Sequence, residues 1–228
     1  MYKIVTRLRN QVILFALLIV VAVLLGRFWS GPQGSTLGTD SKGRTFESGA
    51  HIETTEGVEA TDVNSEYLVI NLNPKSGEAL PATGWRLVGV EHEATLGSAT
   101  ALPIQGAVNT EEPLVITKPT KLIVISGHSP IGVSFRENEC TGLLATFQTF
   151  TPPLSSACVN CNEQTLDPIS KKSYPDYNAC VEEHKADPNF FSSAWRIYLG
   201  SETELWRKDF EIIKLVNRDG RILDSVSY

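Results

Sequence analysis

DFEIIKLV (209–216), NRDG (217–220) and RILDSVSY (221–228) follow one another without a break. Two apolar-rich runs flank Asp219-Gly220, and an Asp-Gly pair supplies the positive φ that a tight hairpin needs. The stretch therefore reads as a β-hairpin. On its second strand Ile222, Asp224, Val226 and Tyr228 share one face, and Leu223 and Ser225 share the other. A carboxylate on a half-apolar face is expected to collect hydrogen bonds, from backbone N–H groups of a neighbouring turn. This strand is expected to close the protein, with no anchor after it.

The same rhythm extends toward the N-terminus. YLVINL (67–72), WRLVGV (85–90), ALPI (101–104), PLVI (113–116), KLIVIS (121–126) and GVSF (132–135) are short β-type runs. Turn residues separate them, among them Asn73-Pro74, Gly77, Thr83-Gly84, Gly106 and Pro119. AWRIYL (194–199) resumes the pattern before the hairpin. Many short strands with turns between them predict a mainly β fold, an antiparallel sandwich or barrel. Trp85 and Trp195 are read as core residues, because buried aromatics dominate such cores.

Residues 137–193 break the rhythm. Glu139 to Phe150 predicts a short helix. Tyr177 to Lys185 predicts another, with Asp176 near its N-cap and Pro188 beyond its end. All four cysteines, Cys140, Cys158, Cys161 and Cys180, fall in this section. It reads as an insertion between strands, too polar to pack without staples.

Three stretches carry a family likeness. Gly84-Trp85-Arg86-Leu87 is similar to a "GW-x-L" strand. Lys118-Pro119-Thr120-Lys121-Leu122 is similar to a "KPG-x-x-L" lead-in to a central strand, with Thr120 in place of the usual Gly. Ile213-Lys214-Leu215, Asp219-Gly220 and Asp224-Ser225-Val226-Ser227-Tyr228 resemble a terminal hairpin of the form "D-x-x-G…VDSV-x-Y". Together they resemble the lamin-tail domain over roughly residues 67–136 and 194–228. Residues 127–142 and the segment through NACVEEHK (178–185) resemble the uncharacterised membrane-anchored bacterial proteins of this type. The resemblance implies an immunoglobulin-like β-sandwich and an interaction surface. It implies no catalytic residues and no cofactor.

The first residues set the expected address. VILFALLIVVAVLL (12–25) is an unbroken run of fourteen apolar residues. About 20 residues cross a bilayer core of roughly 30 Å. Arg27 can snorkel, and Phe28 and Trp29 suit the interfacial belt, so residues 11–29 read as a transmembrane signal anchor. A cleaved signal peptide and a buried core helix are the alternatives; Gly-Arg-Phe-Trp-Ser (26–30) fits a cleavage site poorly. Residues 1–29 hold Lys3, Arg7, Arg9 and Arg27 and no acid. Three of those bases precede the apolar run, which places residues 1–10 in the cytoplasm and the rest outside the cell membrane. The remaining chain carries 16 bases against 26 acids, a net charge of −10. That acidity excludes nonspecific nucleic-acid binding. Residues 30–66, rich in Gly, Ser, Thr and Glu, read as a flexible stalk spanning roughly 35 Å. His51 within the stalk is expected to do nothing specific. The domain then occupies residues 67–228, with the insertion at 137–193.

On the oxidising side of a membrane the cysteines are expected to pair. The pairs favoured are Cys140–Cys158 and Cys161–Cys180, since a Cys158–Cys161 bridge closes a very small loop. The alternatives are free thiols or a zinc site of Cys158, Cys161, Cys180 and His184, whose spacing can close a tetrahedron.

Catalytic constellations are sparse. Gly127-His128-Ser129-Pro130-Ile131-Gly132 nearly spells a nucleophile elbow, but Ile131 occupies the second Gly position and a strand follows instead of a helix. A plain turn is the reading taken. His92, between Glu91 and Glu93, reads as a solvated strand end. No P-loop, EF-hand or dinucleotide fingerprint is present. The expectation is a non-catalytic, membrane-anchored, extracytoplasmic binding or structural module with a protein or cell-surface partner. The alternative is an extracytoplasmic hydrolase or zinc-binding protein using Ser129 or the Cys158/Cys161/Cys180/His184 set.

Overall fold

The computed structural model describes residues 38–39, 45–46, 49–53, 57–154 and 176–228. Two short strands, β1 (Gly38–Thr39) and β2 (Thr45–Phe46), pair antiparallel. The strands that build the core follow: β3 (Ala50–Glu53), β4 (Tyr67–Leu72), β5 (Leu80–Pro81), β6 (Arg86–Val88), β7 (Glu93–Thr95), β8 (Val115–Ile116) and β9 (Thr120–Ile125). After them come β10 (Phe135–Asn138), a 3-10 helix over Thr141–Thr146, the helix α1 (Tyr177–His184), β11 (Phe191–Tyr198), β12 (Ile212–Val216) and β13 (Ile222–Ser227).

The strands form two main sheets. One has the order β10-β11-β9-β4-β3, and the other β13-β12-β6-β7; β5 and β8 make a separate pair. Leu68, Ile70 and Leu72 alternate inward along β4, opposite Val124, Leu122 and Thr120 of β9. Leu122 through Ile125 are all buried, as expected of a central strand covered on both faces. β11 runs parallel to β9, whereas the other strand–strand pairings among the described residues are antiparallel. A parallel pair needs a long crossover, and residues 126–190 supply it. Leu68, Ile70, Leu122 and Ile197 of the first sheet share one core with Leu87, Ile213, Leu215 and Val226 of the second. The fold is mainly β, and this facing arrangement is consistent with a β-sandwich. Trp85 and Trp206 are buried in that core, and Trp195 packs against it.

The terminal hairpin forms with one change of register. Gly220 takes φ +79°, and the Asn217 side-chain oxygen accepts from the Asp219 and Arg221 amides. Leu215 pairs with Asp224 but Val216 pairs with Ile222, so Leu223 is skipped by a bulge. The bulge turns Ile222 outward, 54% exposed, while Val226 stays buried. The expected common face of Ile222 and Val226 is therefore broken. Arg218 of the hairpin turn donates from Nε to the Thr83 carbonyl at 2.6 Å. A Cβ on Gly84, which has φ +82°, would lie 2.7 Å from that nitrogen. Glycine before Trp85 is thus favoured by its positive φ, and a larger residue there would also displace the Arg218 side chain.

Several expected boundaries move. β3 and the turn over 57–66 lie inside the stretch read as a stalk; β3 pairs along β4, with Ile52 opposite Ile70. ALPI (101–104) forms bends and turns, PLVI keeps only Val115–Ile116, and GVSF gives a turn with its strand starting at Phe135. The expected helix at 139–150 is one 3-10 segment, and α1 forms as expected on its Asp176 cap. The insertion shortens to 139–190, between β10 and β11. Among the described residues no helix is long and apolar enough to cross a membrane; the expected anchor, residues 11–29, lies outside them.

Candidate functional site

The insertion has a core of its own. Phe135, Leu144, Phe150, Tyr177, Val181 and Phe190 are buried together around Cys140 and Cys180. The expected staple is present, and it sits inside a small apolar core that the polar composition did not announce. Asn138, at the end of β10, organises the local chain. Its side-chain oxygen accepts from the Cys140 amide at 2.9 Å, and its nitrogen donates to the Tyr177 hydroxyl at 2.9 Å. Thr141 Oγ1 donates to the Asn138 carbonyl at 2.7 Å. Asp176 accepts from the Ala179 amide at 2.8 Å, the N-cap bond that starts α1. Cys180 then faces the small core one turn into the helix. Burial pushes the Tyr177 hydroxyl up to about 12, against the opposing effect of the Asn138 bond.

Cys140 and Cys180 form a disulfide, with Cα atoms 5.8 Å apart. The favoured pairing of Cys140 with Cys158 and of Cys161 with Cys180 is thereby overturned. Asn138 and the Asp176 cap fix both backbones on the same apolar patch, and this decides the partner. Cys158 and Cys161 lie outside the described residues. The zinc set loses Cys180 to the bridge. His184, at the end of α1, instead places Nδ1 2.8 Å from Asp187 Oδ2. Glu139, His184 and Asp187 each bring one donor atom into a group whose members all lie within 4.8 Å of one another.

Ser129 sits in a turn. Its hydroxyl donates to the Val133 carbonyl at 2.6 Å and accepts from the Ile131 amide at 3.3 Å. Gly132 closes the turn onto the Ser129 carbonyl with φ +79°. The neighbouring His128 is exposed and turns its Nε2 to Glu202 Oε1 at 3.1 Å. Among the described residues Ser129 has no His or acid partner; the segment forms the turn that the sequence predicted. His92 is exposed, and its carbonyl accepts from the Gly89 amide across the β6–β7 turn.

Beside the Ser129 turn is a cavity of about 310 Å³ lined by Pro103, Ile104, Asn109, Ile131, Leu144 and Gln148 among others. Asn109 is committed to its own loop, accepting from the Ile104 amide at 2.8 Å. Asn178 of α1 braces that loop by bonding both the N–H and the carbonyl of Gln105, at 2.9 and 3.0 Å. The Gln148 Oε1 is buried and has no hydrogen-bond partner among the described residues. Val108 and Phe147, chain neighbours of lining residues, are 101% and 84% exposed. A concave surface of mixed polar and apolar lining, with the Gln148 acceptor and exposed apolar shoulders, can take a group that joins an apolar part to a hydrogen-bond donor.

Sequence reasoning singled out Asp224 but not the buried acids Glu66 and Glu211 or the buried Arg196–Glu137 pair. Asp224 Oδ2 accepts from the Ile52 amide at 2.7 Å and contacts His51 Nδ1 at 2.9 Å. The hydrogen bonds expected of Asp224 form, but their source is β3, and His51 is part of the set. Glu66 is fully buried and accepts from the Leu205 and Trp206 amides at 2.8 and 3.1 Å. Glu211 is fully buried and accepts from Val90, Ile212 and Arg207 amides at 2.8, 2.9 and 3.1 Å. Parity carried the signal: Glu66 is in phase with Leu68, Ile70 and Leu72, and Glu211 with Ile213 and Leu215. These carboxylates anchor loops and hold no exposed reactive oxygen. Burial first, then Glu211, Glu66 and Glu59, raise the Tyr228 hydroxyl above its ordinary value.

No family model, curated protein or solved structure matches the chain.

Proposed function

We propose that the chain is a non-catalytic binding module of the lamin-tail-like, immunoglobulin-like type, held at the cell membrane by residues 11–29 and displayed outside it. A protein or cell-surface partner docks on the insertion side, and nucleic acid is excluded by the acidic body. The observation that carries this reading is the buried Cys140–Cys180 bridge, which belongs to an oxidising compartment. The asymmetric bases around residues 12–25 support the same topology. The cavity beside Phe147 supports a binding role. The alternative hydrolase or zinc protein is disfavoured by Ser129 being tied to backbone and by Cys180 being bridged.

The test uses intact cells that express the full chain. A protease that cannot cross the membrane should remove the domain and leave the first residues protected. A photo-cross-linker at position 147 should capture a partner from the cell surface, and Asp in place of Phe147 elsewhere in the population should compete poorly for it. A protected domain, with Cys140 and Cys180 open to alkylation before reduction, would overturn the reading. So would a cross-linker that captures nothing.

A further inference from the structure

We propose that Glu139, His184 and Asp187 form a binding site for a divalent first-row transition metal ion such as zinc. The site goes beyond the binding role above and does not depend on it. It is also distinct from the cysteine-based zinc set, because Cys180 is in the disulfide.

Each donor is placed by a different piece of framework. Glu139 leaves β10 with its amide bonded to the Phe190 carbonyl at 2.9 Å, one residue before the bridged Cys140. His184 is the last residue of α1, and Cys180, one turn back, is pinned by the disulfide. Asp187 is folded back by two successive turns: its amide bonds the His184 carbonyl at 2.8 Å, and its carbonyl accepts from Phe190 at 3.1 Å. The disulfide thus joins the two chain segments that carry the donors, so the site is largely organised before an ion arrives.

The geometry is close to that of a coordinated ion. The donor atoms lie within 4.8 Å of one another. A tetrahedral ion with bonds of about 2.0–2.2 Å spaces its ligands roughly 3.5 Å apart. Side-chain rotation of half-buried Glu139 and exposed Asp187 closes the difference. His184 Nδ1 and Asp187 Oδ2 already lie 2.8 Å apart, a contact that an ion between them would replace. The C-terminal end of α1 also carries the partial negative charge of the helix dipole, which favours a cation. His184 is 23% and Asp187 50% exposed on the side chain, so an ion can enter from solvent.

The donor set selects the ion class. One imidazole and two carboxylates suit zinc or manganese, while calcium wants six to eight oxygens and takes imidazole poorly. Three protein donors leave a fourth position for water or a partner's side chain.

The test titrates the full chain, purified in detergent under oxidising conditions and stripped with chelator, with zinc chloride by calorimetry. One zinc per chain is expected, with no competition from excess calcium. Glu139→Gln and His184→Gln should each weaken binding at least tenfold to a hundredfold. Asp187→Asn, at an exposed position where folding is not at stake, should weaken it by a similar factor. Circular dichroism and an intact Cys140–Cys180 bridge certify each variant's fold. Cobalt in place of zinc should give weak d–d bands without sulfur-to-metal charge transfer. Absence of binding, calcium binding in preference to zinc, or retention of full affinity in Asp187→Asn and His184→Gln overturns the proposal. Loss of zinc in Cys158→Ser/Cys161→Ser, with a sulfur charge-transfer band in the parent, also overturns it.

Discussion

Replacing Arg196 with methionine should destabilise the protein more than replacing Asp224 or Tyr177. Arg196 is 1% exposed and is the largest fully buried side chain described. Its Nε donates to Glu137 Oε1 at 2.7 Å, its Nη1 to the Pro152 carbonyl at 2.6 Å and its Nη2 to the Pro153 carbonyl at 2.9 Å. The guanidinium also lies 6.0 Å from the centre of the Phe150 ring. One side chain thereby joins β11, β10 and the chain after Phe150. Removing one member of a buried ion pair costs about 3–5 kcal/mol, because the remaining charge stays in a poor solvent. The two proline carbonyls also lose their donors, which places Arg196→Met toward the upper end of that range. For a domain of this size the fall in Tm is about 10–15 °C. Urea unfolding followed by tryptophan fluorescence measures the loss, provided the slope m is unchanged. The double variant Glu137→Leu/Arg196→Met removes both charges and should recover at least about half of the loss, since apolar replacement of a buried pair is often near neutral. Two results refute the reasoning. One is a single-variant loss under about 1 kcal/mol, far below the buried-pair range. The other is a double variant as unstable as the single, which would locate the cost in packing.

Three further perturbations probe the rest of the frame. Cys140→Ala/Cys180→Ala opens a bridge with a sequence separation of 40, worth about 4 kcal/mol of chain entropy; hydrogen exchange should rise in 139–150 and 176–190 while β4 and β9 stay protected. Asp224→Ala leaves the Ile52 amide without its acceptor and should cost about 1–3 kcal/mol by urea unfolding. His51→Ala should add less on that background than alone, because both changes break one set of contacts. Burial pushes Tyr177 and Tyr198 up to about 12 from an ordinary 10.0, so their neutral forms favour the folded state. That stabilisation is complete below pH 10.0 and is lost as pH rises toward about 12. At about 2–3 kcal/mol per group, alkaline unfolding should shift to higher pH in Tyr177→Phe, read by circular dichroism against pH.

What the sequence disclosed, and what it hid, divides along the range of the interactions involved. The alternation of β4, the continuous apolar run of β9, the Asp-Gly turn and the Asp176 cap are local, so each could be read from a few neighbours. β3 was hidden because a four-residue edge strand with one polar and one charged residue carries little period of its own. It becomes a strand only by pairing with β4 and by giving Asp224 its Ile52 amide, 172 residues away in the chain. The cysteine pairing was hidden for the same reason. Loop size ranks connectivities by unfolded-chain entropy alone, whereas Asn138 and Asp176 decide which sulfurs meet in the folded state. The small core under the insertion escaped notice because Phe135, Phe150, Tyr177 and Phe190 are spread over more than fifty residues with no shared period. The buried acids are the instructive case. Glu66 and Glu211 lie in phase with the inward residues of β4 and β12, and strict parity would have placed both inside. Polar character argued the opposite, and parity won because backbone amides of the 201–211 loop and of Val90 were available to solvate the charge. Such carboxylates join loops to sheets at a cost that only complete hydrogen bonding offsets. Among the described residues no backbone amide cradles the side chains of Glu139 and Asp187, which lie nearer solvent and converge on an imidazole. That contrast in surroundings separates a structural acid from a candidate ligand in this fold.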